Sequence, residues 1–202
     1  MEDYFTRNDF DADPVVQFNR WYAEAQQSNI ELPHSMTLAT AARDGRPAAR
    51  MVLLKDANAR GFTFFTSYSS HKARQLADNP FAALVFYWDI LHRQVRIEGR
   101  VEKVTAEEST AYFKIRPRGS QLGAWASQQS EVIENRQVLE ERVRKLEEKY
   151  ENEDVPRPPV WGGYRIVPEH IEFWAGRPSR LHDRFLYTRQ DDGIWTLSQL
   201  AP

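Results

Sequence analysis

The sequence predicts a mainly β protein with peripheral helices, of the α+β class, in which an antiparallel sheet curls into a barrel. Short segments rich in β-branched and aromatic residues recur along most of the chain. The segment from Gln94 to Val104 alternates apolar with polar residues, as a strand with one buried face does. The turn sequence Arg43-Asp44-Gly45 separates two such segments, which indicates a hairpin. Closing the sheet into a barrel removes strand edges that would otherwise stay open.

The strands follow one another along the chain with turn residues or helices between them. They are expected at 36–40, 48–55, 62–66, 81–88, 94–104, 164–167, 171–174, 180–188 and 194–197. Segment 81–88 is almost entirely apolar, which is typical of a strand covered on both faces. In segment 94–104, Val95, Ile97 and Val101 are expected to face inward.

Four helices are predicted from their start and stop signals. Asp13 before Pro14 is a typical helix start, because Asp caps a helix and Pro fits its first turn. A polar break at 67–70 opens a short helix that ends before Pro80. Thr105 and Glu108 form a capping box for a helix over 106–116, and 133–150 has the apolar spacing of a longer surface helix. Residues 13–202 are expected to form a single domain after a flexible N-terminal segment, 1–12.

Composition excludes several classes of protein. The chain has 202 residues, 41% hydrophobic and 28% charged, which is typical of a soluble globular domain. Its formal net charge of -2 argues against nucleic acid as a partner. The absence of cysteine excludes disulfides, thiolate chemistry and Cys-based metal sites. No segment is as long as a membrane span, so no membrane partner is expected and the protein is predicted to be cytoplasmic.

The pentapeptide Arg180-Leu181-His182-Asp183-Arg184 is the most informative candidate site. On a strand, Arg180, His182 and Arg184 would share one face, placing an imidazole between two fixed cations. Such a face suits a phosphorylated substrate that undergoes proton or hydride chemistry. A solvated edge strand with alternating charge explains the same pattern.

Further clusters could bind anions. Arg50-Met51-Val52-Leu53-Leu54-Lys55 is a strand bracketed by cations that a regular strand would place on opposite faces. Both cations could serve one ligand only at a strand end, at a bulge or between subunits; two surface charges ending a buried strand are the alternative. Ser69-Ser70-His71-Lys72 offers hydroxyls, free N–H groups and a cation at a helix N-terminus, although an ordinary capped helix explains it as well.

Tyr112 and Arg116 lie one helical turn apart, and Ser120 follows, a combination suited to phosphate. A plain helix C-terminus also favours arginine. Gln129 and Ser130 add neutral donors and acceptors for the polar edge of a heterocycle. The histidines lack metal-ligand spacing, so no metal site is expected, and no GxGxxG, Walker or GxSxG motif is present.

Taken in order, these clusters resemble the pyridoxine/pyridoxamine 5'-phosphate oxidase family from about Asp11 to Pro202. The motifs that carry the resemblance are Arg50 to Lys55, Arg93-Gln94-Val95, Arg116 to Trp125, Ser127 to Ser130, Trp161-Gly162-Gly163-Tyr164, Glu172-Phe173-Trp174, Arg180 to Arg184, and Leu200-Ala201-Pro202. Each motif alone is weak evidence for the family, but their occurrence in this order is highly specific for it.

The resemblance implies an FMN-binding split barrel, six-stranded and Greek-key-like, in a homodimer with two FMN molecules at the subunit interface. It implies that FMN contacts Arg50, Met51, Val52, Leu53, Leu54, Lys55, Phe65, Thr66, His71, Lys72, Gln94, Gln129, Ser130, Trp174 and Arg184. It implies that substrate contacts Lys55, Tyr112, Arg116, Ser120, Arg180, Leu181 and His182, the first four around its phosphate.

The implied reaction oxidises pyridoxine 5'-phosphate or pyridoxamine 5'-phosphate to pyridoxal 5'-phosphate. Substrate C4' would give a hydride to the flavin, and O2 would reoxidise the flavin and leave as H2O2. Arg180 and His182 would be catalytic, positioning and polarising the reacting group, with His182 as a proton acceptor.

The chain departs from the family in two places. His71 stands where the family usually has arginine, and an imidazole cannot make a bidentate phosphate contact, so weaker or pH-dependent FMN binding is expected. Family members often carry an Arg-Arg-Glu-Tyr-like segment that folds over the substrate. Glu2-Asp3-Tyr4 resembles that segment only distantly, so no substrate contact is assigned to these residues. Two alternatives stay open: a phenazine-biosynthesis-type FMN oxidase, and a non-catalytic flavin- or PLP-binding carrier.

Overall fold

The structure is a computed structural model that describes residues 4–202. Its strands are β1 (Ser35–Ala41), β2 (Pro47–Leu53), β3 (Asp56–Asn58), β4 (Gly61–Ser67), β5 (Phe81–Trp88), β6 (Arg93–Lys103), β7 (Trp161–Ala175), β8 (Asp183–Arg189) and β9 (Trp195–Gln199). Its helices are α1 (Pro14–Gln27), α2 (His71–Asp78), α3 (Ala106–Lys114), α4 (Arg118–Ala126) and α5 (Arg136–Lys149). None of the helices in this part of the chain is long and apolar enough to cross a membrane.

All strand pairs in the described sheet are antiparallel, and the sheet curls into a half-barrel. Six strands follow the curl in the order β2-β1-β5-β6-β7-β4, and β2 approaches β4 where the curl closes. Strand β3 extends the β4 edge, and β8 with β9 extends β7. The predicted class, an antiparallel split barrel with peripheral helices, is confirmed.

Strand β7 is the longest element and carries two different neighbours on one edge. Its residues 164–175 pair with β6, with one register shift at Glu98/Gly99. On its other edge, residues 161–166 pair with β4 and residues 170–175 pair with β8. The sequence predicts two strands here, 164–167 and 171–174, because Pro168-Glu169-His170 interrupts the apolar pattern, whereas the structure has one continuous strand.

Helix α1 packs on the residues that fill the barrel. The Asp13 carboxylate accepts a hydrogen bond from the backbone N–H of Val15 at 2.8 Å, as the capping signal predicts. Phe18 is fully buried, with its ring edge-on to Phe62 at 4.9 Å and 5.1 Å from Phe86. Each buried Phe of this kind stabilises the fold by roughly 1.5–3 kcal/mol.

The start of the described chain also contacts the core. The Phe10 ring lies 4.4 Å from Phe185, and the Phe5 ring lies 5.5 Å from Trp21. Residues 1–3, including Glu2 and Asp3 of the distant lid resemblance, lie outside the described residues. The flexibility expected of segment 1–12 therefore stays a prediction.

Strand β5 and helix α4 differ from expectation. In β5 buried residues alternate with more exposed ones, and Phe81 and Tyr87 are 47% and 58% exposed, so only one face of this strand is covered within the chain. Helix α4 was not predicted, because Gly119 and Gly123 lower helix propensity. Helix α5 begins at Arg136, later than expected, because the Asn135 side chain caps it.

The strand expected over 180–188 begins only at Asp183. Pro178–Arg180 forms a 3-10 turn in which Ser179 and Arg180 have φ of 57° and 63°. This left-handed backbone interrupts the two-residue alternation before β8 starts. The expectation that Arg180, His182 and Arg184 line one face of a strand is therefore wrong.

Candidate active site

A cleft of about 780 Å³ opens between β2, β4 and helices α3 and α4. Twelve residues predicted from the sequence to bind cofactor or substrate line it: Arg50, Met51, Val52, Leu53, Lys55, Phe65, Thr66, Lys72, Tyr112, Arg116, Ser120 and Gln129. These residues are far apart in sequence, and the curl of the barrel brings them together.

Arg50 and Lys55 both face this cleft despite their odd spacing. Strand β2 ends at Leu53, so the two-residue alternation does not continue to Lys55. Leu54 turns inward and is buried, with its backbone N–H donating to the His34 carbonyl at 2.9 Å. The two cations thus meet at a strand end, one of the arrangements that the sequence left open.

Lys72 is a buried cation at one side of the cleft. Its Nζ donates to Oγ1 of Thr66 at 3.1 Å and to Oε1 of Gln129 at 3.3 Å. Burial, and then the charge of Arg50, lower the pKa of Lys72 to about 8. Burial also lowers the pKa of Arg50, whose Nη1 donates to Oγ1 of Thr40 at 2.6 Å. These partners are neutral, so the positive charge here is uncompensated.

The segment around Gln129 closes this side of the cleft. Besides Lys72, Gln129 Oε1 accepts from Thr66 Oγ1 at 2.8 Å. Ser130 has φ of 74°, and its Oγ accepts from the His71 backbone N–H at 3.2 Å. The His71 side chain is exposed and is not part of the cleft lining, although its backbone lies in the first turn of α2.

Three aromatic rings stack at the opposite side. The Phe65 ring lies 4.1 Å from Tyr112 and 5.4 Å from Trp161, nearly parallel to both. Gly163 pairs with Phe65 across the sheet, and a Cβ there would lie 2.8 Å from the Phe65 ring. The glycine is therefore what allows β7 to approach this stack so closely.

A second pair of cations lies beside the stack. The Arg116 guanidinium lies 4.6 Å from the Trp161 ring centre, and Lys55 Nζ lies 5.9 Å from that of Tyr112. Burial lowers the pKa of Arg116, and its Nη1 is buried without a hydrogen-bond partner. Ser120 is in the first turn of α4, where the helix dipole favours an anion.

The cleft therefore offers two cationic groups to phosphorylated ligands. Across residues 4–202, no salt bridge involves Arg50, Lys55, Lys72 or Arg116. Lys72 is buried and Arg50 and Arg116 are half-buried, and such unpaired cations are unfavourable unless an anion completes the site. A phosphate at each group, with a planar ring system between them, fits this donor set.

The other predicted cofactor residues form a second cluster. Gln94, Trp174 and Arg184 are cross-strand neighbours on β6, β7 and β8. Arg184 Nε donates to Oε1 of the buried Glu172 at 2.7 Å, and this bond raises the pKa of Arg184. The His182 ring lies 4.7 Å from Trp174. Arg180 and Leu181 are exposed on the preceding turn.

These two clusters are far apart within one chain. The stack pairs with β7 at Gly163, and the second cluster pairs with it at Trp174, eleven residues further along. At about 3.3 Å per residue this is roughly 35 Å of strand. Within the described residues, Gln94, Ser130, Trp174, Arg180, Leu181, His182 and Arg184 are therefore not part of the cleft lining.

Sequence reasoning missed some residues around both clusters. Trp161, Glu172 and Asp183 were inside motifs that carried the resemblance, but none was assigned a role at the site. Arg177 had no motif to single it out. Their roles depend on contacts with residues distant in sequence, so only the folded chain reveals them.

The curled antiparallel barrel defines the class as split-barrel proteins, and its cleft suits phosphates and a planar ring. A model of the family "Pyridoxamine 5'-phosphate oxidase" matches residues 22–150, and one for the "Pyridoxine 5'-phosphate oxidase C-terminal dimerisation region" matches residues 161–202. The chain belongs to the pyridoxamine 5'-phosphate oxidase family. FMN is the cofactor that this membership assigns to the chain.

Similar proteins include two named pyridoxine/pyridoxamine 5'-phosphate oxidase. The one from Nostoc punctiforme is 57% identical over 95% of this chain and 90% of its own length. The one from Burkholderia multivorans is 58% identical over 94% and 89%. Among solved structures, PhzG from Burkholderia lata, in complex with tetrahydrophenazine-1-carboxylic acid, has a TM-score of 0.93 and 30% identity over 100% of this chain and 98% of that one.

Proposed function

We propose that the protein oxidises pyridoxine 5'-phosphate and pyridoxamine 5'-phosphate to pyridoxal 5'-phosphate, with O2 reduced to H2O2. The observation that carries this proposal is the presence of two cationic groups in one cleft. A cofactor with one phosphate needs only one of them. The second, with Lys55 and Arg116 beside Ser120, suits a phosphorylated substrate.

The chain's own residues would bind and orient the two ligands. Arg50 and Lys72 would hold the cofactor phosphate, and Lys55, Tyr112, Arg116 and Ser120 that of the substrate. Bound FMN supplies a two-electron acceptor that O2 regenerates. Holding the substrate by its phosphate converts the transfer into an effectively intramolecular step.

The oxidation balances with O2 as the final acceptor. The alcohol loses a hydride from C4' and a proton from its hydroxyl, and O2 takes up two electrons and two protons. The amine loses the same equivalents to give an imine, which water converts to the aldehyde and ammonia. Arg180 and His182 are assigned to the group on C4', as catalytic residues that contact substrate.

A homodimer would unite the cleft of one subunit with the second cluster of its partner. The match to a dimerisation region over residues 161–202 supports this arrangement, because those residues include Trp174 and the turn with Arg180. Met51, Tyr87 and Leu181 are at least 58% exposed in the single chain and are available to such an interface.

The first experiment is aerobic turnover of FMN-loaded protein with pyridoxine 5'-phosphate, measuring pyridoxal 5'-phosphate and H2O2 together. Equal amounts of both products are expected. In Arg116→Met we expect kcat/KM to fall about 10- to 100-fold, since a charge-assisted hydrogen bond contributes about 1.5–3 kcal/mol. Lys114→Met, an exposed change outside the cleft, is the matched control. Bound FMN without either product would refute the oxidase and favour a carrier.

The similarity to PhzG favours a second candidate, oxidation of a reduced phenazine carboxylic acid. Comparing pyridoxine 5'-phosphate with tetrahydrophenazine-1-carboxylic acid as substrates separates the two. Relatives at 57–58% identity carry the pyridoxine/pyridoxamine name, which places this candidate second. Faster oxidation of the phenazine by the wild-type protein would reverse that order.

The composite site is tested with hybrid dimers. Arg116→Met alters the cleft and Arg180→Ala alters the second cluster. If each active site combines two subunits, a hybrid of these chains has one intact site and one doubly altered site. Its turnover should be about half that of the wild-type dimer. A hybrid as inactive as its parents would show that each site lies within one chain.

A further inference from the structure

The turn between β7 and β8 holds the His182 imidazole in one orientation. The backbone N–H of Arg177 donates to Nδ1 of His182 at 3.1 Å. A backbone amide can only donate, so Nδ1 must be the nitrogen without a proton. In a neutral imidazole the proton then lies on Nε2.

The Arg177 side chain is itself held by two contacts. Its Nε donates to Oδ2 of Asp183 at 2.6 Å, and its guanidinium lies 5.3 Å from the Phe5 ring centre. Asp183 is buried, and the same Oδ2 accepts from the Phe5 backbone N–H at 3.1 Å. The Asp183 carboxylate therefore ties the start of the turn to its end and to the N-terminal segment.

The Trp174 ring packs beside the His182 imidazole. Its ring centre lies 4.7 Å from that of His182, with the planes inclined by 43°. Rotating the imidazole by half a turn would place a carbon against the Arg177 N–H and leave that donor without its acceptor. The observed orientation is the one in which this hydrogen bond can form.

We propose that Arg177 and Asp183 are positioning residues that hold His182 as the Nε2–H tautomer. His182 then offers substrate a hydrogen-bond donor at Nε2, and not the proton acceptor that the sequence suggested. Its target is a lone-pair acceptor on the C4' substituent of the substrate, such as the oxygen atom there. The identity of that substrate rests on the proposed function, whereas the tautomer does not.

The tautomer can be measured without turnover. The protein has five histidines, which selective nitrogen-15 labelling makes visible in long-range proton–nitrogen correlation spectra. His182→Asn identifies the His182 signals by their loss. At about pH 8, where imidazoles are mostly neutral, Nδ1 should resonate as a nitrogen without a proton and Nε2 as a protonated one. A protonated Nδ1, or an average of both tautomers, would overturn the proposal.

Variants test the positioning roles. In Asp183→Asn the His182 signals should move toward a tautomer mixture, and Arg177→Lys should stay closer to wild type than Arg177→Ala. Asp191→Asn, an exposed carboxylate in the β8–β9 turn, should leave the spectrum unchanged. Circular dichroism would show whether Asp183→Asn is folded. If it is not, comparing Arg177→Lys with Arg177→Ala still tests the positioning role. Unchanged His182 signals in folded Asp183→Asn and in Arg177→Ala would refute positioning.

Ligand binding connects the tautomer to the substrate. Pyridoxal 5'-phosphate, titrated by absorbance, should bind Asp183→Asn roughly 5- to 10-fold more weakly than wild type, with FMN affinity unchanged. Equal affinity in the two proteins would refute a donor role for His182. If pyridoxal 5'-phosphate does not bind the wild-type protein at all, the proposed function is refuted. The tautomer measured by NMR would not be affected by that result.

Discussion

Raising the pH from 7 to 9 is expected to weaken FMN binding about tenfold through Lys72. This side chain is buried among neutral oxygens and faces Arg50, and together these lower its pKa to about 8. About nine-tenths of the free protein then carries the ammonium at pH 7, and about one-tenth at pH 9. A phosphate in contact favours the charged form and raises the pKa in the complex. Binding at pH 9 must therefore take up a proton, so affinity falls as the pH rises.

The assay is a titration of flavin-free protein with FMN, followed by flavin fluorescence at pH 7, 8 and 9. Lys72→Arg keeps its charge throughout this range, so its affinity should change little. Lys149→Arg, on the exposed side of α5, should retain the wild-type pH dependence. A wild-type dissociation constant that is equal at pH 7 and 9, or an equal slope in Lys72→Arg, would refute the reasoning.

Three further predictions concern stability. Because the folded-state pKa of Lys72 is lowered, the unfolded chain binds more protons than the folded chain above pH 8. The unfolding free energy of flavin-free protein should therefore rise by about 2 kcal/mol between pH 8 and 10, and that of Lys72→Arg should not show this rise. Urea titrations at both pH values measure the difference. Glu172→Gln removes the charge that Arg184 contacts, so it should lower the unfolding free energy by about 1.5–3 kcal/mol and weaken FMN binding. If neither the unfolding free energy nor the FMN affinity changes, Glu172 does not hold Arg184 in place for the cofactor. Phe86→Ala should cost about 3–5 kcal/mol in the core, whereas the exposed Ile194→Ala should stay within about 0.5 kcal/mol, as thermal unfolding would show.

The sequence predicted those parts of the fold that local chemistry determines. The capping box forms as expected: Thr105 Oγ1 accepts from the Glu108 N–H, and Glu108 Oε2 from the Thr105 N–H, both at 3.1 Å. The β1–β2 hairpin turns at Gly45, whose φ of 83° suits glycine. In each case residues a few positions apart satisfy one another, so a short segment contains the whole signal.

The turn before β8 shows where that reasoning fails. The charges in 180–184 alternate as they would on a strand, and neither Ser179 nor Arg180 marks a left-handed backbone. The turn depends instead on Asp183, which accepts from Arg177 and from Phe5, 178 residues earlier in the chain. No short segment of sequence contains such long-range hydrogen bonds. The sequence therefore indicated which residues form the site on this turn, but it did not predict their backbone conformation.

The separation of the two clusters follows from the continuity of β7. Had residues 161–167 and 170–175 been two strands, the chain could have folded Trp174 back over the cleft. As one continuous strand, paired with β6 over residues 164–175, they hold Phe65 and Trp174 roughly 35 Å apart along the sheet. The cleft has the unpaired cations that phosphates require, whereas the second cluster has the imidazole and the exposed Arg180. Neither cluster alone is sufficient for the proposed chemistry, which is why the proposed active site combines two copies of the chain.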